Sequence, residues 1–237
     1  MTGSLGPYGG AGGGLTPSGS AEAKRTSWPL WLRSAVVIVA LTALLYVVEA
    51  IDAVSDHDLD SAGIESRETD GLSGIVFSPF LHDGWEHLLA NTIPGMVLGF
   101  LVLMAKRFIV TTLIVWVVSG LGVWLFSPSY VVTVGASGII FGWLTYILVR
   151  GLFNRDIWQI LLGVVVFVVY GGVLWGVVPT DGRVSWQGHL FGAIGGVLAA
   201  WYLSGKDRKR GDGAAPTPYG GNGMGASGFG NKGGAAL

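Results

Sequence analysis

The sequence predicts an all-α polytopic membrane protein with six transmembrane helices and Gly-rich tails. Three observations support this fold class: 51% of the residues are hydrophobic, only 12% are charged, and the mean hydropathy is +0.58. So few charged residues cannot cover the surface of a soluble domain in a chain of 237 residues. The apolar residues are also gathered into long runs, which is the pattern of membrane-spanning helices.

Six apolar runs account for the predicted spans, in the order Trp28–Ala50, Leu88–Ala105, Phe108–Phe126, Val131–Val149, Ile157–Val178 and Gly188–Leu203. A hydrocarbon core about 30 Å thick needs roughly 20 helical residues, with a range of about 17–25. Four of the runs are comfortable spans by this measure, and the last is slightly short. The first run is too long for the apolar region of a cleaved signal peptide, so it is predicted to remain in the protein.

The fourth run is interrupted by Gly135-Ala136-Ser137-Gly138. A helix that begins at Ser137 has about 13 residues before the end of the run, and these cover only about 20 Å. We therefore expect this helix to begin inside the membrane. The non-helical segment that precedes it must then be buried in protein or face water.

Residues 28–204 are predicted to form the membrane domain, and residues 52–86 are its longest connection. About 35 residues without an evident helix or strand pattern is long for a loop and is typical of a functional element. Residues 1–27 and 205–237 are rich in Gly and lack apolar periodicity, so both are predicted to be disordered tails.

The charges indicate how the chain crosses the membrane. With the N-terminus inside, all of the 14 Lys and Arg residues except Arg67 and Arg183 lie on the cytoplasmic side, as the positive-inside rule requires. Both termini are therefore predicted to be cytoplasmic, and the acidic connection 52–86 is predicted to face outward. No organelle-targeting feature is evident, which favours a bacterial plasma membrane.

Two polar islands lie inside apolar runs, one around Ser137 and the other around His189. A hydroxyl and an imidazole at bilayer depth are costly unless they pair with each other or are used. If they meet, Ser137 can be a nucleophile and His189 its base. Ser137 would then lie in the first turn of its helix, where free N–H groups and the helix dipole stabilise an oxyanion.

Each island also has a purely structural explanation. Gly138 and Gly142 fit a Gly-x-x-x-Gly contact between helices, with the Ser137 hydroxyl bonded to a carbonyl one turn back. His189 lies on a run whose glycines recur every four residues, and a backbone carbonyl could satisfy its ring. That explanation is less attractive at bilayer depth, where ionisable residues are scarce and usually functional.

A third polar cluster lies at the outer end of the second span. His87 and Asn91 are four residues apart and therefore share one helix face. Both side chains can donate hydrogen bonds to an oxyanion as it forms in a reaction. The same two residues could instead simply cap a membrane helix. A metal site is disfavoured, because His-x-x-x-Asn lacks the Glu of the zinc-protease helix and His82 diverges from His87 around a helix.

The residues that are missing narrow the chemistry further. The chain has no cysteine, which excludes disulfides, thiolate metal sites and a cysteine nucleophile. The five runs after the first contain no Asp or Glu in their interiors, so they offer no carboxylate that could orient His189. We therefore expect a Ser–His dyad, with no cofactor and no metal.

Taken together, these residues resemble the rhomboid family of intramembrane serine proteases. The resemblance covers the six-span core and rests on three motifs in matching order and spacing, namely His87-x-x-x-Asn91, Gly135-x-Ser137-Gly138 and His189-x-x-Gly192-x-x-x-Gly196. It implies the minimal six-span form of the family that is typical of bacteria, and it implies close helix packing at the motif glycines Gly135, Gly138, Gly192 and Gly196.

The resemblance also implies a role for each polar residue. Ser137 would be the nucleophile and His189 the general base, while His87, Asn91 and the backbone N–H of Ser137 would form the oxyanion hole. Many family members have a tyrosine four residues after the serine that stacks on the base, and Phe141 keeps that ring without the hydroxyl.

One further departure concerns the connection 52–86. Many family members carry a Trp-Arg pair in this loop, and Gly74-Ile75-Val76 has neither residue. The resemblance implies that the loop is half-sunk in the membrane. The missing Trp-Arg pair is therefore expected to change how the loop is anchored there.

The expected function is serine-type endopeptidase activity in regulated intramembrane proteolysis. The expected partners are single-span membrane protein substrates and the lipid bilayer, with no nucleic acid, and the oligomeric state is left open. One alternative is a non-catalytic relative that binds membrane clients, but such proteins typically lose the serine or the histidine. Another alternative is a small transporter. Such a protein should show internal sequence repeats or a charged pathway through the membrane, and neither is evident in this sequence.

Overall fold

The computed structural model of the protein describes residues 2–3, 28–129, 131–179 and 185–212, with side chains described as far as Gly205. The predicted tail 1–27 lies outside the described residues except for residues 2–3, and residues 213–237 of the other predicted tail also lie outside them. Where the second tail begins, the chain continues as a helix to Asp212.

Seven α-helices occur among the described residues, and the all-α polytopic membrane fold is confirmed. They are α1 Leu30–Val54, α2 Gly74–Phe77, α3 Gly84–Met104, α4 Phe108–Phe126, α5 Ser137–Asn154, α6 Ile157–Tyr170 and α7 Trp186–Asp212.

Five helical segments among the described residues are long and apolar enough to cross a membrane: α1, α3, α4, α5 and Ile157–Val177. The last of these joins α6 to a 3-10 segment, Gly171–Val177. Helix α7 is long enough but is not among the five, since Gln187, His189 and several glycines interrupt its apolar residues. The protein is therefore an integral membrane protein, and a sixth span remains a prediction.

Helix α5 lies at the centre of the fold. Of its most apolar stretch, 56% is buried, compared with 11% for Ile157–Val177. It packs against α3, α4, α6 and α7, and all residues from Ile139 to Ile147 are buried. The outward faces of α1 and α6 expose Val, Leu, Ile and Phe side chains, as expected for helices that face lipid rather than water.

Helix α5 begins at Ser137, as the sequence predicts, but it ends at Asn154, beyond the predicted limit at Val149. The extension is possible because the polar side chains of its last turn find partners on α6. Arg150 Nε and Asn154 Nδ2 both donate to Gln159 Oε1, at 2.9 and 2.8 Å. Hydropathy alone places the end of the helix too early because it ignores such pairs.

The first loop, residues 55–83 between α1 and α3, contains short regular elements that the sequence pattern does not reveal. They are the 3-10 segments Asp58–Ala62, Asp70–Leu72 and Ser78–Phe80, the helix α2 and the strand β1 Ile64–Glu65. Strand β1 pairs antiparallel with β2 Val132–Thr133. Elements of two to five residues are too short to produce a periodic sequence pattern.

The first loop is held to α4 without a Trp-Arg pair. The indole of Trp116 donates to the carbonyl of Ile75 at 2.5 Å. At the end of α4, the Arg67 guanidinium donates to the carbonyls of Leu125 and Ser127, at 3.3 and 3.0 Å. A tryptophan and an arginine therefore still hold this loop, but they are Trp116 of α4 and Arg67 of the loop rather than an adjacent Trp-Arg pair.

Helices α5 and α7 approach so closely that only glycine fits at their contact. A Cβ atom at Gly192 would overlap the carbonyl oxygen of Gly138, and one at Gly196 would overlap that of Gly142. Close approach of this kind is what small residues at intervals of four allow in membrane helices. Gly135 differs from the other motif glycines, since it lies before α5 and contacts the ring of His87.

Candidate active site

The backbone just before α5 points Ser137 into the space between α4 and α7. Gly135 has a φ of +119°, a conformation that a residue with a side chain rarely adopts. Its N–H donates to the carbonyl of Ser78 in the first loop at 2.9 Å. Ala136 provides no side-chain cap, so N–H groups in the first turn of α5 are available to a substrate.

Ser137 and His189 are in hydrogen-bond contact. The Oγ of Ser137 lies 2.9 Å from Nε2 of His189, and Nδ1 of the same ring lies 2.9 Å from the carbonyl oxygen of Gly176. A carbonyl can only accept a hydrogen bond, so Nδ1 must carry the proton in the neutral ring. Nε2 is then the acceptor that faces the serine hydroxyl, which is the arrangement required of a general base.

The ring of Phe141 stacks on the imidazole of His189. The ring centroids are 4.0 Å apart and the planes are inclined by 7°. Phe141 is one turn after Ser137 on the same helix, so α5 provides both the hydroxyl and the ring on which the imidazole of His189 stacks. With Nδ1 fixed by Gly176 and one face covered by Phe141, His189 has little freedom to rotate.

His87 lies beside the backbone that leads into Ser137. A Cβ at Gly135 would come within 2.6 Å of its ring, so only glycine allows this approach. The backbone N–H of Asp83 donates to Nδ1 of His87 at 3.4 Å. In the neutral ring the proton is therefore on Nε2, which is also close to Gly135 and can act as a donor.

Asn91 is buried on α3, and its Nδ2 donates to the carbonyl of His87 at 3.1 Å. One amide hydrogen remains for another acceptor. Asn91 and Ala136 line one apolar cavity of about 160 Å³ between α1, α3, α4 and α5. Asn91 therefore shares a cavity with Ala136, the residue just before Ser137.

A small cavity of about 30 Å³ adjoins Ser137. Its lining includes four serine side chains, Ser78, Ser119, Ser137 and Ser185. A cavity of this volume with several polar partners is large enough for a water molecule. The cavity beside the serine therefore has room for a water molecule.

Sequence reasoning missed three groups that fix the geometry of the site. The carbonyl of Gly176 comes from the 3-10 segment that follows α6, and no residue type could have revealed a backbone oxygen. Ser119 Oγ donates to the carbonyl of Gly188 at 2.9 Å, and Thr145 Oγ1 donates to that of Ala193 at 2.8 Å. Ser and Thr within apolar runs were the available signal, and here they tie α7 to α4 and α5.

His82, just before α3, is a buried ionisable group next to the site. Its ring meets that of His87 edge to face, with centroids 5.2 Å apart. Burial, together with the nearby His87, lowers the pKa of His82 to about 4. The native protein therefore keeps this ring neutral at a pH where the unfolded chain would protonate it.

This pKa predicts an acid-dependent loss of stability. The free energy of unfolding should be unaffected by His82 above pH 6.5 and should fall as the pH drops from 6.5 towards 4, by at most about 3 kcal/mol. Thermal unfolding of wild type and His82→Gln at pH 7 and pH 4.5 measures the effect. The variant should lose less stability on acidification, and equal losses would show that His82 is not responsible.

Comparison with known proteins identifies the family. Residues 69–206, more than half of the chain, match the family model of the Rhomboid domain. The chain belongs to the rhomboid family. The match includes every motif residue discussed above, from His87 to Gly196.

The relatives of this rhomboid protein are mostly uncharacterized. An uncharacterized protein of Mycobacterium tuberculosis is 50% identical over 194 residues, which cover 78% of this chain and 81% of the relative. One of Mycobacterium leprae is 51% identical over 191 residues, covering 76% of this chain and 75% of the relative. The Rhomboid-like protease 5 of Toxoplasma gondii is 33% identical over 132 residues, 52% of this chain but 15% of that protein. No solved structure gives a significant match.

Proposed function

We propose that this rhomboid family member is an intramembrane serine endopeptidase, with Ser137 as nucleophile and His189 as general base. The observation that carries the proposal is the 2.9 Å contact between Ser137 Oγ and His189 Nε2, with the ring tautomer fixed by the Gly176 carbonyl. The Gly176 contact leaves Nε2 unprotonated towards the serine hydroxyl, which is the state that a general base requires.

The reaction begins with transfer of the Ser137 proton to Nε2 of His189 as Oγ attacks the scissile carbonyl carbon. The imidazolium that forms is stabilised by the Gly176 carbonyl at Nδ1, which takes the place of the carboxylate in a triad. His189 then gives its proton to the leaving amine, and an acyl-enzyme remains on Ser137.

The negative charge on the carbonyl oxygen is stabilised by donors on two helices. The N–H groups at the start of α5 are one source, and the α5 dipole adds to their effect. His87 Nε2–H and the free hydrogen of Asn91 Nδ2 are the other source. Loss of one oxyanion donor typically costs about 10²–10³-fold in rate.

Hydrolysis of the acyl-enzyme needs a water molecule that His189 can deprotonate. The small cavity beside Ser137, whose lining includes four serines, is large enough for one. The apolar cavity beside Asn91 and Ala136 is suited to an uncharged substrate side chain. The family resemblance implies single-span membrane proteins as substrates, whose helix must unwind near the cleavage site to expose a peptide carbonyl to Ser137.

Cleavage in reconstituted membranes tests the proposal. The full chain is placed in liposomes with a single-span model substrate, and the products are identified by mass spectrometry. Wild type should cleave, and Ser137→Ala should be slower by at least about 10³-fold. Ser129→Ala, at an exposed position, is the matched control and should cleave like wild type. Equal cleavage by all three proteins would refute the proposal.

Phe141 supplies a smaller, separate prediction. Phe141→Leu removes the stacked ring and should lower kcat/KM by about tenfold, because such aromatic contacts are worth roughly 0.5–1.5 kcal/mol. Phe141→Tyr keeps the ring and should retain wild-type activity within about threefold. Steady-state kinetics of both variants on the same substrate measure these effects. Full activity of Phe141→Leu would mean that the Phe141 ring does not support His189.

A further inference from the structure

A second cluster of ionisable side chains lies at the first-loop end of α1, away from the serine site. It consists of Asp52 in the last turns of α1 with His57 and Asp60 in the first loop. Their ligand atoms lie within 4.8 Å of one another. Nδ1 of His57 is 2.9 Å from Asp52 Oδ2, and the N–H of Leu59 donates to Asp52 Oδ1 at 2.9 Å.

The carboxylate of Glu49 adds an unpartnered buried group to this cluster. Glu49 is 1% exposed, and neither of its oxygens has a hydrogen-bond partner. It lies three residues before Asp52 on the same face of α1, and its negative charge acts directly on His57 and Asp60. Oδ1 of Asp60 is also buried without a partner. Buried carboxylate oxygens are rarely left in this state.

The charges of the cluster do not balance within the described residues. Glu49 and Asp52 are each 1% exposed, and Asp60 is half-buried. The only ion pair among the described residues is that between His57 and Asp52, and the His57 side chain is 52% exposed. Three carboxylates thus lie near a single imidazole, and Asp83 adds a fourth negative charge that acts on Glu49 and Asp60. A cation bound among these side chains would offset the excess negative charge.

We propose that Asp52, His57 and Asp60 bind a divalent transition-metal ion of the zinc class. The buried, unpartnered carboxylate of Glu49, one turn earlier on α1, adds negative charge beside the ion. No metal site was expected from the sequence, because Asp52 and Glu49 end an apolar run and the loop residues show no ligand motif. The site is independent of the serine and histidine proposed for catalysis.

The ligand set favours zinc-class ions over calcium or magnesium. An imidazole with carboxylates is typical of Zn²⁺, whereas Ca²⁺ and Mg²⁺ prefer oxygen ligands alone. Ligands about 2.1 Å from one tetrahedral ion lie roughly 3.4 Å apart, so the present separations need only small side-chain rotations. The ion would replace the proton that now joins His57 Nδ1 to Asp52.

Binding at this position would fasten the first loop to α1. The 3-10 segment Asp58–Ala62 leads directly into β1, and β1 pairs with β2, which lies just before Gly135. A bound ion would therefore stabilise the first loop and the strand that leads to Ser137. The expected sign is a higher Tm in the presence of the metal, since the ion binds the folded chain better than the unfolded one.

Metal titration of the untagged full chain in detergent tests the proposal. Zn²⁺ is titrated against a competing chromophoric chelator, and Tm is followed in parallel. Wild type should bind one Zn²⁺ per chain with an increase in Tm. His57→Gln and Asp60→Asn should each weaken binding by at least about tenfold. Asp58→Asn removes a neighbouring exposed carboxylate and should bind like wild type.

Four results would overturn the proposal: no saturable Zn²⁺ binding, undiminished binding by both ligand variants, an equal loss in Asp58→Asn, or equal affinity for Ca²⁺ or Mg²⁺. His57→Gln removes the imidazole partner of the buried Asp52, so its metal-free Tm is measured as well. A loss of Zn²⁺ binding by this variant while it still unfolds cooperatively reports on the site. The readout does not use proteolysis, and a chain that binds Zn²⁺ without cleaving substrate would refute only the proposed function.

Discussion

Replacing His189 by alanine is expected to lower kcat/KM for a membrane substrate by at least about 10³-fold. The physical reason is the tautomer: Nδ1 is committed to the Gly176 carbonyl, and Nε2 lies 2.9 Å from the Ser137 hydroxyl. Within the described residues, no other side chain hydrogen-bonds Ser137 Oγ, so none can take over as base. The measurement is initial cleavage rate in liposomes at saturating and limiting substrate.

The matched control for His189→Ala is Leu198→Ala on the same helix. Leu198 is 44% exposed and faces away from α5, so its truncation should leave the rate near that of wild type. Both variants should still unfold cooperatively. Activity of His189→Ala within tenfold of wild type would show that the imidazole is not the base.

Adding a single methyl group at Gly192 is the second change with a large expected effect. The Cβ of Gly192→Ala would overlap the carbonyl oxygen of Gly138, which belongs to a helix backbone and cannot rotate away. Overpacking of this kind costs about 1–3 kcal/mol. The helices must separate to relieve it, and a misplacement of about 1 Å at a catalytic contact can cost on the order of 10²-fold in rate.

Gly172→Ala provides the comparison for this experiment. Gly172 lies in the 3-10 segment after α6, and a Cβ there would meet nothing within 4 Å. Its Tm and activity should match those of wild type, whereas Gly192→Ala should lose both. If Gly192→Ala kept its activity with an unchanged Tm, the close contact between α5 and α7 would not be what positions Ser137 against His189.

The features that the sequence predicts well are those carried by residue type and spacing. Long apolar runs predict most of the spans, because transfer of apolar helices into lipid depends on composition. The start of α5 at Ser137 follows from Gly135, whose φ of +119° suits glycine. The meeting of Ser137 with His189 follows from the small residues that let their helices approach.

The features that could not be predicted depend on backbone atoms or on short segments. The Gly176 carbonyl orients His189, but every residue has a carbonyl, and only the 3-10 turn after α6 brings this one to the ring. The short elements of the first loop lack periodicity, so the pairing of Ile64 with Thr133 was not foreseen. The cluster at Asp52 joins a helix end to a loop, and sequence spacing does not reveal such a contact.

The central claim is that Ser137 is a nucleophile activated by His189, and covalent labelling tests it most directly. A fluorophosphonate should form an Oγ–P bond at Ser137 with release of fluoride, while His189 takes the hydroxyl proton. Mass spectrometry of the labelled wild-type chain should locate the adduct on Ser137. Ser137→Ala should give none, and His189→Ala at least about tenfold less. A wild-type chain that cleaves substrate but carries no adduct on Ser137, or that is labelled equally without His189, would contradict the account.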